Sequence, residues 1–259
     1  MSRRMYRDQS VSLVIPAYNE EETIQHVVTE FRGEPHLDEI VVVDNNCRDR
    51  TAELAAAAGA RVVAESKPGY GAALLAGMDA AKGDILVLVE ADGSFRARDV
   101  EKLLVYLQDA GMVVGTRTTR QMLEQGANMR SILRWGNVFM AKFLQLLWLR
   151  PHEPRFTDVG CTFRALTRET FDRIRPRLSQ TGPAFSPEMM CAALQERCRI
   201  IEIPVTYAPR IGGESKHSDT FWRQARTAWM MWKTICRKRF FERSRPVRQG
   251  DDADRVGRR

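Results

Sequence analysis

The sequence predicts an α/β protein with a mostly parallel sheet, helices on both faces of that sheet, and an amphipathic helix near the carboxyl end. Two observations support this fold class. In the first half of the 259-residue chain, short runs of branched apolar residues alternate with stretches patterned as helices, which is the order of a parallel sheet with crossover helices. A hydrophobic content of 44% is enough to bury one large core.

Each element of the first half is recognised by its length and its apolar pattern. Strands are expected at 11–16, 40–44, 61–65, 84–90 and 112–116. Helices are expected between them at 20–31, 49–58, 70–81 and 100–109. The carboxyl ends of parallel strands meet at one edge of a sheet, where such proteins bind ligands. Residues that follow these strands are therefore the first candidates for a functional site.

The second half is less regular and carries four recognisable elements. An apolar helix is expected at 131–149, a strand at 200–205 and an amphipathic helix at 221–241. A further helix is expected to begin near Pro187, with Ser186 as its N-cap. The longest charge-free part of the apolar helix is shorter than the roughly 20 apolar residues that span a bilayer, so we expect no transmembrane helix.

The net charge of +7 is concentrated at the carboxyl end. Residues 221–259 contain 12 Lys and Arg against 4 Asp and Glu, whereas the first 220 residues are nearly neutral. A basic tail on a neutral body favours contact with an anionic surface, either a membrane or a nucleic acid. The five cysteines are odd in number and lack C-x-x-C spacing, and no signal-like segment precedes them. We therefore expect reduced cytosolic thiols rather than disulfides or a zinc site.

Two carboxylates, Glu90 and Asp92, follow the fourth predicted strand. Mg²⁺ and Mn²⁺ prefer oxygen ligands and often keep a diphosphate in their remaining positions, so this pair is a candidate metal site. An isolated pair is more often a solvated acidic turn, but the position at a strand end favours the metal site. Asp44 ends the second strand and is suited to accept hydrogen bonds from a base or a ribose, with a helix cap as the alternative.

The segment that begins at Gly69 invites a dinucleotide-binding interpretation, which we reject. Leu74 takes the place of the third glycine of G-x-G-x-x-G, and the segment follows the third strand instead of the first. A tight turn that opens a helix is the better interpretation, with the backbone at Gly71 close to a nucleotide.

Two cationic regions are candidates for phosphate binding. Arg210 and Lys216 flank glycines in a loop after the last predicted strand, and such a loop is suited to clamp phosphates. Arg117, Arg130 and Arg134 follow the fifth strand and open the apolar helix, where they are candidates to receive an anionic acceptor. A solvated loop and a solvated helix face are the respective alternatives.

The helix at 221–241 places aromatic residues beside arginines and lysines. This pattern is typical of a helix in a membrane interface, with its rings among the headgroups and its cations toward anionic lipid. Packing of the helix against the domain is the main alternative. Nucleic-acid binding is the weakest interpretation, because no recognised nucleic-acid-binding fold supports it, and we expect no such partner.

Four segments together resemble glycosyltransferase family 2, and within it the polyprenol-phosphate branch that is similar to dolichol-phosphate mannose synthase. Residues 15–20 resemble the opening motif of the family and residues 43–51 its second motif. Glu90-Ala91-Asp92 stands at the D-x-D position, and residues 210–216 resemble the cationic loop of the lipid-phosphate branch. The resemblance implies a GT-A fold, which is a Rossmann-like, mostly parallel sheet with helices on both faces.

The resemblance also assigns roles to individual residues. The implied nucleotide-binding residues are Pro16, Ala17, Tyr18, Glu20, Asp44, Asn46, Gly71 and Ala91. The implied ligands of Mg²⁺ or Mn²⁺ are Glu90 and Asp92. The candidate catalytic residues are Asp92, Arg117, Arg210 and Lys216, and those for the acceptor phosphate are Arg117, Arg130, Arg134 and Ser215. Two positions depart from the family: Glu90 replaces the usual first aspartate, and Ser94 stands near the usual glutamine.

On this resemblance we expect an inverting, metal-dependent enzyme that moves a hexose from a UDP- or GDP-sugar to a polyprenyl phosphate. It would work in the cytoplasm as a peripheral protein on the inner face of an anionic membrane. The lipid phosphate is already anionic near neutral pH, so the reaction needs no strong general base. Glu188 matches the acidic helix-start motif of the family, but we do not assign it the role of a general base.

The predicted elements divide the chain into four parts. They are a tail at 1–10, a GT-A domain at 11–218, an amphipathic interfacial helix at 219–243 and a disordered tail at 244–259. Within the domain we expect a nucleotide half at 11–117 and an acceptor half at 118–218.

Three other functions are weighed against this expectation. A GT-A enzyme with a soluble acceptor would not need the basic aromatic tail. A non-catalytic GT-A-like binding module is suggested by Glu90 at the metal position. Nucleotidyl transfer would need a phosphate-binding loop directly after the first strand, where this chain has Tyr18, Asn19 and Glu20.

Overall fold

The computed structural model describes residues 6–123, 131–148, 155–211 and 221–242 and, within these ranges, all side chains except those of 120, 131–134, 221, 223 and 224. The strands are β1 (Val11–Ala17), β2 (Glu39–Asp44), β3 (Arg61–Ala64), β4 (Ile85–Leu88), β5 (Met112–Thr116), β6 (Arg164–Thr167) and β7 (Ile200–Pro204). The helices are α1 (Ile24–Arg32), α2 (Thr51–Ala57), α3 (Tyr70–Ala80), α4 (Asp99–Leu107), α5 (Ser131–Leu147), α6 (Arg168–Ile174), α7 (Phe185–Gln195) and α8 (Phe221–Phe240).

The strands described form one sheet in the order β3-β2-β1-β4-β6-β5-β7. Neighbouring strands are parallel except around β6, which runs antiparallel to both β4 and β5. The predicted mostly parallel α/β sheet is confirmed. The sheet takes strands from both sides of residue 117, because β6 and β7 pair with strands of the first half.

Both faces of the sheet are covered, as the continuous apolar strands indicate. In β2, Val42 belongs to the core on one face, whereas Val41 and Val43 belong to the core on the other. The first core packs against α1, α2 and α4, and the second packs against α3 and α5 to α8. The strands β1, β2 and β4 therefore bury side chains on both faces, which fixes the register of the central sheet.

Strand β6 and helix α6 were not predicted from the sequence. The strand has only four residues and contains Arg164, which is fully buried and donates to the carbonyl oxygens of Cys161 and Ser186. A buried arginine breaks the apolar pattern on which strand recognition depends. Helix α6 follows directly and is capped by Thr167, whose side-chain oxygen accepts from the backbone N–H of Thr170 at 3.1 Å.

Two predicted helix starts are wrong. Helix α7 begins at Phe185 with Ala184 at the N-cap position, so Ser186 lies inside the first turn and is not the cap. Helix α1 begins at Ile24 instead of residue 20, because a turn in which Glu20 O accepts from Thr23 N and Ile24 N precedes it. Both shifts place polar residues at the edge of the sheet that the carboxyl ends of the strands form.

Helix α8 packs against α7 and α5. Ile235 and Lys238 are buried in this contact, and the ring of Trp232 stacks on Phe143 of α5 at a centroid distance of 6.3 Å. The outer faces of α5 and α8, with the residue that follows α8, leave large apolar side chains exposed, namely Trp135, Phe139, Leu146, Trp222, Trp229, Phe240 and Phe241. Among the described helices, none is both long enough and apolar enough to cross a bilayer.

Candidate active site

A cavity of about 730 Å³ lies at the edge formed by the carboxyl ends of β1, β2 and β4. One end of it is lined by residues that follow β1 and β2 and by the turn before α3. Its centre is lined by Glu90, Asp92 and Arg210. The far end is lined by Thr162, by the start of α7 and by Met231 of α8. The cavity thus joins the usual position for ligands in α/β sheets to the carboxyl-terminal helix.

The loops that follow β1 and β2 form one wall of the cavity, and local hydrogen bonds hold this wall in place. Asn19 and Asn46 adopt left-handed backbone conformations, with φ of 53° and 66°. The side-chain oxygen of Asn19 accepts from Arg48 N at 2.8 Å, and the Asn45 amide bridges Glu65 O and Lys67 O at 3.0 and 2.8 Å. These bonds cross between neighbouring loops, so the wall is organised by the protein itself.

Most of the predicted nucleotide-binding residues reach this cavity. Its lining includes Pro16, Ala17, Tyr18, Glu20, Asn46 and Ala91. Asp44 lies beside the wall at the end of β2, and its carboxylate accepts from Cys47 N at 2.8 Å in a local turn.

Gly71 is explained by packing within the chain. Its N–H donates to Thr181 O at 2.7 Å, and a Cβ added there would lie 2.4 Å from Gln180 O. The glycine therefore lets the start of α3 approach the segment before α7. The structure does not place Gly71 on the cavity wall, and this close contact accounts for its small size.

Glu90 and Asp92 lie together at the centre of the cavity. Asp92 is buried, and its Oδ1 accepts from Ser94 N at 3.0 Å and from Ser94 Oγ at 2.6 Å. Its Oδ2 is also buried and accepts no hydrogen bond from the described residues. Arg210 faces both acids, with its Nε 3.0 Å from Asp92 Oδ2 and its Nη2 3.8 Å from Glu90 Oε2.

The electrostatics of this centre follow from burial and from the close charges. Burial, followed by repulsion from Asp92, raises the pKa of Glu90 to about 7, while Arg117, Thr162 and Arg210 act in the opposite direction. For Arg210, burial lowers the pKa, but attraction to Asp92 and Glu90 outweighs it and the net shift is upward. Asp92 thus opposes the ionisation of Glu90, and a cation held by these two acids would relieve the repulsion.

The two carboxylates fit a divalent cation. The buried Asp92 Oδ2 accepts no hydrogen bond from the described residues and has the Arg210 guanidinium as its charge partner, and Glu90 presents Oε2 toward the same arginine. Mg²⁺ is commonly held by one or two protein carboxylates together with phosphate oxygens of a substrate, and oxygen donors also suit Mn²⁺. Ser94 orients Asp92 through its N–H and its hydroxyl, which both donate to Oδ1.

Arg117 is mostly buried behind the cavity wall, with 11% of its side chain exposed, and is paired with the fully buried Asp158. Two contacts join them, from Nε to Oδ2 at 2.8 Å and from Nη2 to Oδ1 at 3.0 Å. Burial lowers the pKa of Arg117, but the Asp158 charge more than reverses this and holds it above its usual value. A Cβ added at Gly160, which lines the cavity, would lie 3.2 Å from Arg117 Nη2. Arg117 therefore contributes its field across one residue, while two of its five guanidinium N–H groups are directed at Asp158.

The remaining cationic candidates are only partly described. Arg130, Ser215 and Lys216 lie outside the described residues, and Arg134 belongs to α5 with its side chain not described. The loop that begins at Arg210 is anchored at Ile211, whose N–H donates to Asp92 O at 3.1 Å. Gly93 permits this approach, because its φ is 73° and a Cβ there would lie 2.5 Å from the Ile211 side chain.

Four residues at the site were not predicted from the sequence, namely Asp158, Tyr70, Thr162 and Ser186. Thr162 Oγ1 donates to Glu90 Oε1 at 2.6 Å and lies 2.5 Å from the Tyr70 hydroxyl. Burial, together with the Glu90 charge, raises the pKa of Tyr70 to about 12, so the phenol keeps its proton at neutral pH. Asp158 and Thr162 are brought to the site by the unpredicted strand β6 that follows them, whereas Tyr70 and Ser186 come from the starts of α3 and α7.

Glu188 is buried away from the cavity lining. Its carboxylate accepts from Ser179 N and Oγ, each at 3.0 Å, and from Gln180 N at 2.8 Å. The ammonium group of Lys238 lies 3.2 Å from Glu188 Oε1. This arrangement uses the carboxylate to hold the loop before α7 and the helix α8.

Comparison with known proteins places these features in a family. The sequence profile described as Glycosyl transferase family 2 matches residues 12–174. An uncharacterized glycosyltransferase of Mycobacterium bovis is 33% identical over 226 residues, which cover 87% of this chain and 98% of that protein. The undecaprenyl-phosphate 4-deoxy-4-formamido-L-arabinose transferase of Pseudomonas fluorescens is 28% identical, with coverage of 83% of this chain and 62% of that protein.

A solved structure supports the fold independently. Glucosyl-3-phosphoglycerate synthase from Mycobacterium tuberculosis, in complex with Mn²⁺, UDP and glucosyl-3-phosphoglycerate, superposes with a TM-score of 0.68 at 20% identity. The match covers 90% of this chain and 81% of that one. It confirms the predicted GT-A fold. With the profile spanning more than half of the residues, the chain belongs to glycosyltransferase family 2.

Proposed function

We propose that this glycosyltransferase moves a hexose from a UDP- or GDP-sugar to the phosphate of a polyprenol, with inversion at the anomeric carbon. The observation that carries the proposal is the buried Asp92 Oδ2, which accepts no hydrogen bond from the described residues, next to Glu90 and Arg210 in the cavity. This arrangement suits a cation with a diphosphate better than it suits a solvated acidic turn.

In the proposed reaction, the bond from the anomeric carbon to the donor diphosphate breaks as an oxygen of the lipid phosphate attacks from the opposite face. Asp92 and Glu90 would hold Mg²⁺ or Mn²⁺, which supplies positive charge to the departing diphosphate. Arg210, and Lys216 beyond the described range, would add further positive charge there. The attacking phosphate is already anionic, so no side chain has to remove a proton from it.

Glu188 supports this base-free mechanism. Its carboxylate accepts three hydrogen bonds from the chain and faces the buried Lys238, and it does not line the cavity. A general base has to reach the proton that it removes. The role proposed for Glu188 is therefore the support of the loop at 179–180.

The lipid acceptor is favoured by the position of α8. Met231 of this helix lines the cavity, and the outer faces of α5 and α8 expose several aromatic rings. Such rings, with the positive charge of the carboxyl-terminal region, suit a peripheral position on the anionic inner face of a membrane. A relative in Pseudomonas fluorescens whose name specifies undecaprenyl phosphate supports the same acceptor class.

A donor and acceptor screen tests the proposal. Purified protein is incubated with Mn²⁺ or Mg²⁺, with UDP- and GDP-hexoses, and with either a short polyprenyl phosphate or a soluble sugar acceptor, and products are identified by mass spectrometry. The proposal expects a hexosyl phospholipid that requires the metal. Transfer only to the soluble sugar would contradict the lipid acceptor and would favour the enzyme with a soluble acceptor. A complete lack of metal-dependent turnover would favour the non-catalytic binding module.

A further inference from the structure

The glutamate at the first metal position is held by a chain of hydroxyl groups. Thr162 Oγ1 donates to Glu90 Oε1 at 2.6 Å, and the Tyr70 hydroxyl lies 2.5 Å from Thr162 Oγ1. A longer contact of 3.4 Å joins Tyr70 to Ser186 Oγ. Thr162 and Ser186 are almost fully buried, and all four residues line the cavity.

The direction of this chain follows from the hydrogens available. A threonine hydroxyl has one hydrogen, and Thr162 gives it to Glu90 Oε1, which can only accept in the ionised form that would bind a metal. Tyr70 must then donate its own hydrogen to Thr162. The chain therefore runs from Tyr70 through Thr162 to Glu90, and each donor strengthens the next.

The fold explains why these residues meet. Because β6 is antiparallel to β4, the residues just before β6 lie at the edge where β4 ends, as the pairing of Arg164 with Leu88 shows. Thr162 is thereby brought next to Glu90. Tyr70 reaches the same place from the start of α3, where Gly69 and Gly71 allow that helix to approach the segment before α7.

We propose that Thr162, with Tyr70 behind it, is the positioning residue that lets glutamate serve where the family usually has aspartate. A glutamate side chain has one more rotatable bond than aspartate, so fixing it costs more conformational entropy. The chain from Tyr70 holds Glu90 Oε1, which leaves Oε2 on the side of Arg210, the residue that also pairs with Asp92. This inference rests on the proposed function, because it takes Glu90 and Asp92 as ligands of the divalent cation.

A double-mutant cycle tests whether Thr162 acts through Glu90. Binding of Mn²⁺ in the presence of UDP, and separately of GDP, is measured by calorimetry and by the electron paramagnetic resonance signal of free Mn²⁺. Thr162→Val is expected to weaken Mn²⁺ binding about tenfold, as is usual when an outer-shell partner is lost, and Thr162→Ser is expected to restore it. In a Glu90→Asp background the shorter arm no longer reaches Thr162, so Thr162→Val is expected to change Mn²⁺ binding less than about twofold.

The controls separate positioning from structural damage. Thr234→Val replaces another buried threonine, on α8, and is expected to leave Mn²⁺ binding unchanged. If Thr162→Val does not fold, Tyr70→Phe removes the first hydroxyl of the chain and is measured in the same cycle. Equal losses in the wild-type and Glu90→Asp backgrounds, or unchanged Mn²⁺ binding in the Thr162→Val variant, would overturn the inference. If the wild type binds Mn²⁺ with the nucleotide but turns over no donor, the proposed transfer fails while the cycle still decides the role of Thr162.

Discussion

The two oxygens of Asp92 have different surroundings, and this difference defines what the residue can do. Oδ1 is fixed by two hydrogen bonds from Ser94, whereas Oδ2 is buried with Arg210 as its charge partner and accepts no hydrogen bond from the described residues. Arg210 offsets the charge of Oδ2, but this oxygen still accepts no hydrogen bond from the described residues, so it is available to a second cation. The arrangement therefore favours a ligand role over a purely structural one.

Asp92→Asn should abolish most of the metal-dependent turnover. The amide keeps the volume of the side chain but loses the negative charge, so we expect a kcat/KM lower by about a hundredfold or more, equivalent to about 3 kcal/mol of transition-state stabilisation. The measurement is donor turnover as a function of Mn²⁺ concentration. Asp109→Asn, at an exposed carboxylate in the turn before β5, is the matched control. Full activity of the Asp92 variant at ordinary Mn²⁺ concentrations would contradict the metal site.

Glu202, which lies outside the proposed metal site, should make the free energy of unfolding depend on pH. Burial, with repulsion from Asp158, raises the pKa of Glu202 from 4.5 to about 7, against hydrogen bonds from Thr157. Between these pH values the folded state binds more protons than the unfolded state. The contribution of Glu202 to stability is therefore complete below about pH 4.5 and is lost as the pH rises through 7.

Glu202→Gln removes this titration. Relative to the wild type, the free energy of unfolding of the variant should rise between about pH 5 and pH 8 by up to about 3 kcal/mol. Urea unfolding at both pH values measures the difference, and Glu169→Gln, at an exposed acid on α6, should show no such change. A constant difference between variant and wild type across this range would show that Glu202 is ionised in the folded protein.

The sequence could predict those candidate site residues that lie at the ends of the parallel strands. Glu90, Asp92 and most of the predicted nucleotide-binding residues reach one cavity, because parallel strands necessarily bring their carboxyl ends to one edge. Asp158 and Thr162 could not be predicted in the same way. They precede β6, whose buried Arg164 hides the strand from pattern recognition, and without that strand nothing places them near Glu90.

Among the elements, α8 is the one whose position the sequence left open between membrane contact and packing on the domain. The structure shows that one face of the helix packs on α7 through Ile235 and Lys238, and that other faces expose Trp222 and Trp229. The sequence pattern could not separate these faces, because Lys238 carries a charge and would be read as a surface residue. Its buried position is explained by its partners, which are Glu188 at 3.2 Å, Glu242 at 2.7 Å and the carbonyl oxygen of Arg177.

Lys238→Met should destabilise the protein because it leaves the Glu188 carboxylate buried without its cation. We expect a loss of about 3–5 kcal/mol in the free energy of unfolding, which is usual when one partner of a buried ion pair is removed. Lys233→Met, at an exposed position of the same helix, should cost little and serves as the control. Addition of Glu188→Gln to Lys238→Met should recover part of the loss in urea unfolding. Equal stability of the two lysine variants would show that the pair does not anchor α8.

At the scale of the whole molecule, charge and exposed apolar surface are concentrated in the same part of the chain. The first 220 residues are nearly neutral, whereas 221–259 carry a surplus of 8 positive charges. The exposed aromatic rings of α8 adjoin those of α5, and Met231 of the same helix lines the cavity. A surface of this kind would place the open end of the active site against the layer in which a lipid phosphate lies.

This layout predicts binding to anionic vesicles that depends on both charge and aromatic rings. The full chain should sediment with phosphatidylglycerol vesicles but much less with phosphatidylcholine vesicles, and about 1 M salt should weaken binding because the Debye length falls to about 3 Å. Replacement of Trp222 and Trp229, which are 78% and 61% exposed, by Ser should weaken binding about tenfold at low salt. Tyr106→Ser removes an exposed ring from α4, which packs on the opposite face of the sheet, and should have no effect. Equal sedimentation of all variants with both lipids would contradict a membrane-facing α8 and would favour the soluble acceptor.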